Sequence, residues 1–171
     1  MKALLVIDMI NDFLAPEGAL FCGEAVRAII PPLKEKLARF RKENLPVIYL
    51  CDQHSPNDEE FSAFPVHAVA GSWGAEIIPE LLPLEHEVIV PKTRFSGFFR
   101  TRLEEVLREK GVDTVCLTGV CTSICVMDTA ADAFFRNFKI IVYKDCVGDF
   151  DEEMHRFALK RMERIYKAEI L

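Results

Sequence analysis

Hydrophobic residues along this chain follow two alternating rhythms. In the first, short unbroken apolar runs stop abruptly: Lys2 leads Ala3-Leu4-Leu5-Val6-Ile7 up to Asp8, and Leu45 to Cys51 ends on Asp52. Val88-Ile89-Val90 stops at Pro91, Val115 to Thr118 stops at Gly119, Ile140 to Tyr143 runs toward Asp145, and a last run lies near Tyr166 to Ile170. Apolar runs this short, without polar alternation, are the signature of strands buried on both faces of a parallel sheet. In the second rhythm, apolar residues recur at helical spacing. Val26, Ile29, Ile30, Leu33, Leu37 and Phe40 mark a helix between Glu24 and Glu43, which Pro31 and Pro32 either kink or start. Leu103, Val106 and Leu107 mark another that stops near Gly111, and further helices are expected from Ser123 to Asn137 and from Glu152 to Arg164. Strands alternating with helices predict an α/β fold, with right-handed crossovers and helices on both faces of a parallel sheet. No repeat, low-complexity tract or linker divides residues 1–171, so one domain is expected.

Composition narrows the function classes. The 171 residues are 50% hydrophobic, enough for a proper core, and the net charge of -6 argues against nucleic acid while leaving small molecules open. No apolar run is long enough to span a membrane, and Met1-Lys2 leads straight into a strand rather than a signal pattern, so no membrane partner and a cytoplasmic location are expected. The six cysteines lack the spacing of a secreted scaffold and read as reduced thiols. Cys51, Cys116 and Cys146 belong to apolar patterns and suit the core, whereas Cys22, in a Gly/Glu loop, carries no signal.

The chemistry gathers at the strand ends, which share one edge in a parallel sheet. Leu117-Thr118-Gly119-Val120-Cys121-Thr122-Ser123-Ile124-Cys125-Val126 reads as strand, tight turn and helix. It puts Cys125 in a first helical turn, where free N–H groups and the macrodipole favour a thiolate. Asp8 either caps the next turn or faces a ligand; together with Lys92 it would supply an acid and a cation to that thiol. Backbone N–H groups around Cys121 and Cys125 would receive an oxyanion. Asp52-Gln53-His54 places a carboxylate and an imidazole two positions apart. With His67 and a glutamate of the long Ser55–Gly74 loop, these make a nitrogen-and-oxygen site suited to Zn²⁺, Mn²⁺ or Fe²⁺. A non-enzymatic alternative uses the same residues: a metal-binding or redox-responsive protein with Cys121 and Cys125 as its switch.

The motifs Leu4-Leu5-Val6-Ile7-Asp8-Met9-Ile10-Asn11-Asp12-Phe13, Asp52-Gln53-His54, Phe64-Pro65-Val66-His67, Pro91-Lys92-Thr93-Arg94-Phe95-Ser96-Gly97-Phe98 and Gly119 to Val126 together resemble the isochorismatase-like cysteine hydrolases, most of all their nicotinamidase members. The resemblance spans nearly the whole chain. It implies a three-layer Rossmann-like fold with a six-stranded parallel sheet, and a triad in which Cys125 attacks an amide carbon, Asp8 shuttles the proton and Lys92 supports both. It also implies a cis peptide between Val120 and Cys121, a pocket lined by Phe13, Phe64 and Phe95, and one divalent metal, zinc first, on Asp52, His54 and His67, with Glu60 as an added ligand in some members. The activity implied is hydrolysis of nicotinamide to nicotinate and ammonia, a step of NAD salvage, and a homo-oligomer is a further implication. A related enzyme acting on another small amide, such as a carbamoyl or ureido compound, is the alternative. Phe64 stands where many nicotinamidases have tryptophan and Cys121 where they have alanine; neither change removes a catalytic group.

Overall fold

Between β1 (Lys2–Ile7) and β4 (Thr114–Val120) the strand order of the sheet reverses, and this fixes where a ligand can sit. The computed structural model describes residues 1–171, and its other strands are β2 (Val47–Asp52), β3 (Val88–Lys92), β5 (Lys139–Gly148) and β6 (Glu169–Ile170). The order is β3-β2-β1-β4-β5-β6, and every pairing is parallel. From β1 the chain winds outward through β2 to β3, returns to lay β4 on the other side of β1, and winds outward again. Such a reversal leaves a crevice beyond the carboxyl ends of the two central strands, the place where open α/β sheets bind ligands.

Helices α1 (Asn11–Leu14), α2 (Ile30–Lys42), α3 (Leu103–Glu109), α4 (Met127–Phe135) and α5 (Glu152–Arg164) complete the fold. Alternate residues of β1 feed two separate cores. Ala3, Leu5 and Ile7 pack on the side that holds Leu103, Leu107, Ala130, Ala133, Ala158 and Met162, while Leu4 and Val6 join Ile30, Leu33, Leu37 and Phe40 of α2. Each fully buried Leu or Ile contributes about 1.5–3 kcal/mol, so the central strand is anchored from both faces. No helix is long and apolar enough to cross a membrane.

Several boundaries differ from the sequence expectation. The helix expected from Glu24 divides into a 3₁₀ segment, Glu24–Ile29, and α2, whose first turn carries the prolines. They start the helix rather than kink it, because a first-turn residue needs no N–H donor. The segment after Asp8, which neither apolar rhythm marked, contains α1. The helix after Gly119 opens with a π-helical turn, Thr122–Val126, and α4 itself ends at Phe135 rather than near Asn137. β5 runs past Tyr143 to Gly148 through an irregularity opposite Leu117 and Gly119, and the last strand is only Glu169–Ile170.

Gly119, where β4 closes on β1 at the crevice, requires glycine. Its φ is 103°, and a Cβ there would lie 1.9 Å from the Ile7 carbonyl oxygen. Gly119→Ala is therefore expected to cost about 2–3 kcal/mol, a fall of about 4–12 °C in a thermal melt. An unchanged melting temperature would contradict this close approach of β4 to β1.

Candidate active site

Three ionisable side chains and one thiol meet where β1, β2 and β3 end. Asp8, one residue past β1, has a φ of 52° and donates its N–H to the Leu50 carbonyl at 2.8 Å. Its Oδ1 accepts the Asp52 N–H at 2.9 Å, so β2 holds this carboxylate and it does not cap α1. Lys92 and Asp52 are register partners at the ends of β3 and β2. The Lys92 ammonium lies 2.7 Å from Asp8 Oδ2, 2.6 Å from Asp52 Oδ1 and 3.6 Å from Cys125 Sγ. All four residues are buried, and the two carboxylates and the sulfur offer atoms within 4.8 Å of one another. The expected convergence of Asp8, Lys92 and Cys125 is what the structure shows.

Burial dominates their ionisation. It pushes Asp8 up to about 6, with the Asp52 charge adding to the rise and Lys92 opposing it. Burial works the same way on Asp52, but Lys92 and His54 outweigh it and hold that carboxyl below its usual range. Lys92 is disfavoured by burial yet held well above the ordinary lysine range by Asp52 and Asp8, so it remains an ammonium. For Cys125 burial wins: its thiol lies well above the ordinary range despite Lys92. This corrects the expectation of a thiolate favoured by a helix start. Desolvation exceeds the local field, and the Ser123 N–H of that turn is already taken by Asp149 Oδ2 at 2.7 Å. The resting group is a thiol beside a carboxylate able to take its proton. The Val120–Cys121 peptide is cis, as the resemblance implied, and the Cys121 N–H donates to no backbone acceptor.

Next to this centre, Asp52, His54 and His67 each present a ligand atom, all within 4.8 Å of one another. Glu60 Oε1 lies 4.0 Å from His54 Nε2 and 3.9 Å from His67 Nε2. His67 Nδ1 meets the Pro65 carbonyl at 2.8 Å, which leaves its Nε2 free for the cluster. His54 is completely buried, and neither ring nitrogen has an aligned hydrogen bond. A buried ring nitrogen left unpaired beside carboxylates is costly, and a divalent cation would relieve it, so these residues fit the metal expected of them.

The loop bearing His67 is tied down by a residue that had no expected role. Asp12 accepts the Ala68 N–H at 2.7 Å and the Ala19 N–H at 3.0 Å, while His54 exchanges backbone hydrogen bonds with Ala68 and Ala70. Phe61 packs against both imidazoles, with ring centroids 5.4 and 5.6 Å away. Neither contact has a local sequence signal, because both depend on how the loop folds back.

Phe13, Phe64 and Phe95 line one cavity, as expected, and Leu20 and Ile124 join them. Asp52, Glu60, His67, Cys121 and Cys125 complete its wall. Phe64 packs edge-on against Phe95 at 6.0 Å, and Phe13 lies 5.7 Å from the His67 ring. The free volume is small, about 60 Å³, enough for a few water-sized groups. A larger depression of about 580 Å³ lies away from these groups, among Lys2, Thr114, Lys139, Tyr166, Lys167 and their neighbours, so chemistry rather than size singles out the smaller one. Cys22, which gave no signal, is buried with its sulfur 3.5 Å from that of Cys121.

The chain matches the isochorismatase domain over residues 2–170. Among solved structures it resembles N-carbamoylsarcosine amidase from Thermoplasma acidophilum, at 36% identity and a TM-score of 0.90, over 99% of this chain and 94% of that one. It resembles the nicotinamidase/pyrazinamidase PncA of Bacillus subtilis at 35% identity and a TM-score of 0.94, over 99% of this chain and 98% of the other. The pyrazinamidase of Pyrococcus horikoshii, solved in complex with zinc, is 32% identical with a TM-score of 0.92 over the same shares. With sequence and architecture matching from end to end, this chain belongs to the isochorismatase family of hydrolases.

Proposed function

We propose that the protein is a metal-dependent cysteine amidohydrolase that converts nicotinamide to nicotinate and ammonia through a thioester on Cys125. One observation carries the reading: a single small cavity has Cys125 in its wall, with Asp8 and Lys92 behind the sulfur, and Asp52, Glu60 and His67 in the same wall.

Asp8 takes the Cys125 proton as the sulfur attacks the amide carbon, and the carbonyl oxygen becomes an oxyanion received by the Cys121 and Cys125 amides. Lys92 stays charged throughout and offsets both the carboxylates and the charge developing on sulfur. The C–N bond then breaks as Asp8 gives its proton to the departing nitrogen, which leaves as ammonia. Asp8 next accepts a proton from water, the hydroxide adds to the thioester carbon, and the acid leaves as the C–S bond breaks and Cys125 is reprotonated. Zinc, or Mn²⁺ or Fe²⁺, on Asp52, His54 and His67 with Glu60 beside them would supply a Lewis acid for the ring nitrogen of a pyridine amide. Phe13, Phe64 and Phe95 suit a flat ring.

The likeness to a nicotinamidase/pyrazinamidase and to a zinc-bound pyrazinamidase supports this choice. The likeness to N-carbamoylsarcosine amidase supports a second reading, a cysteine amidase for a carbamoyl or ureido compound. The Asp52, His54 and His67 cluster favours the first, since it suits a substrate with a ring nitrogen. A redox switch between Cys121 and Cys125 has less support, because Cys22 is the cysteine in contact with Cys121.

Ammonia release from a panel of amides tests all three. Zinc-loaded protein is expected to turn over nicotinamide faster than carbamoyl or ureido compounds, and chelation is expected to lower that turnover about 100-fold or more. Inert nicotinamide in the presence of metal would reject the substrate assignment. Turnover indifferent to chelation would reject the metal.

A further inference from the structure

Asp58 lies outside every motif discussed above, and its side chain is only 9% exposed. We infer that Asp58 is a positioning residue for the metal cluster: it decides which ring nitrogen His54 presents to a divalent cation. The inference rests on the metal reading above and adds to it a residue that touches neither substrate nor metal.

The two carboxylate oxygens of Asp58 do different things. Oδ1 accepts the Glu60 N–H at 2.9 Å and an Arg94 guanidinium N–H at 2.9 Å. With that oxygen pinned from two sides, Oδ2 is left 3.2 Å from His54 Nδ1. The opposite nitrogen, Nε2, lies 3.8 Å from Asp52 Oδ2 and 4.0 Å from Glu60 Oε1, on the side where the cluster gathers. A neutral imidazole has one N–H and one lone pair. With the proton on Nδ1, the N–H lies on the Asp58 side, 3.2 Å from Oδ2 though off line for a hydrogen bond, and the Nε2 lone pair lies on the side of the cluster. Without a cation, Asp58 is the nearest carboxylate to the ring and favours the proton on Nδ1; with one, the other tautomer would set a lone pair against Asp58 and a proton against the cation. A carboxylate behind a ligating histidine also raises the basicity of that ligand.

The ring has little freedom to escape this choice. Its centroid is 4.8 Å from that of His67 and 5.4 Å from that of Phe61. Asp58 also caps the Glu59–Ser62 turn that carries Glu60, and Arg94, 3.7 Å from Glu60 Oε2, offsets the charge of both acids. One side chain therefore sets the aim of His54 and the start of the turn that brings Glu60 to the cluster.

Asp58→Ser separates these two duties, because serine keeps an oxygen able to cap the Glu60 N–H but takes the carboxylate away from His54. Full-length wild type, Asp58→Ser and Asp58→Asn would be compared as metal-free proteins at a pH high enough for His54 to be neutral, which lies above the ordinary imidazole range because Asp52, Asp58 and Glu60 outweigh burial and raise its pKa. The first readout is the histidine tautomer by nitrogen-15 NMR; the second is zinc affinity by competition with a chromophoric chelator. Wild type is expected to show His54 protonated on Nδ1. The serine variant is expected to lose that preference and to bind zinc about 10–100-fold more weakly, with asparagine in between. A zinc-binding wild type and a serine variant with the same tautomer and affinity would overturn the inference and leave the metal reading standing. A wild type that binds no zinc would overturn both. If the serine variant does not fold, the asparagine variant decides on the same two readouts.

Discussion

Cys125→Ala is expected to lower ammonia release from nicotinamide by about 10⁴-fold or more, with the melting temperature and zinc uptake close to those of the parent protein. The size of the effect follows from the arrangement at the strand ends. The Cys125 sulfur sits in the cavity wall 3.6 Å from the Lys92 ammonium, and Asp8 is the carboxylate placed to take its proton. Without the sulfur there is no thioester and no pair of easier steps. The remaining groups can bind and polarise an amide but cannot attack it. Stability changes little because a single atom is lost from a side chain that already borders a cavity. Zinc uptake is unaffected because Asp52, His54 and His67 are untouched. The same zinc-loaded preparations of both proteins would be assayed for ammonia and melted side by side. A variant keeping more than about a hundredth of the parent turnover would remove Cys125 from the chemistry, whatever the substrate.

The parts of the site carried by strands were legible because strand chemistry is local. An unbroken apolar run that ends in Asp8, Asp52 or Lys92 announces both a buried parallel strand and a charged group at its end, and β1, β2 and β3 then bring those ends together. His54 was legible for the same reason, two residues beyond β2. The resemblance supplied what spacing alone left open: the Glu60 position, the cis Val120–Cys121 peptide and the phenylalanine lining. What neither source gave depends on the folded loop. Asp12 reaches Ala68 across 56 residues, Asp58 reaches Arg94 across 36 and Cys22 reaches Cys121 across 99, all through contacts no local pattern encodes. The thiolate expectation for Cys125 failed for a related reason: a helix start is visible in sequence, whereas the depth at which the sulfur is buried belongs to the assembled crevice.

That depth makes Lys92 the most consequential side chain for stability. It is the cation between two buried carboxylates, with Asp8 and Asp52 both within 2.7 Å of its nitrogen. Lys92→Met keeps the aliphatic stem and removes only the charge. Breaking a buried ion pair by deleting one partner costs about 3–5 kcal/mol, here a fall of roughly 6–20 °C in melting temperature at neutral pH. The pH dependence identifies the cause. In the variant the largest charge opposing burial is gone, so Asp8 rises further and Asp52, left with only His54 against its burial, rises too, putting the folded-state values above the unfolded ones. Below the unfolded value the carboxyls are protonated in both states and the penalty is absent. As pH climbs, the unfolded chain ionises first and the variant loses stability until the folded carboxyls ionise too. The gap between wild type and Lys92→Met is therefore expected to be widest near pH 8 and to narrow toward pH 4. Adding Asp8→Asn to the variant removes one of the two uncompensated charges and is expected to restore part of the loss, so the two substitutions are non-additive. Melts of metal-free protein across that pH range, with chelator present so that no bound ion replaces the ammonium, provide the measurement. A gap that stays constant with pH, or a double variant whose losses simply add, would mean that Lys92 is not the counter-ion on which Asp8 and Asp52 depend.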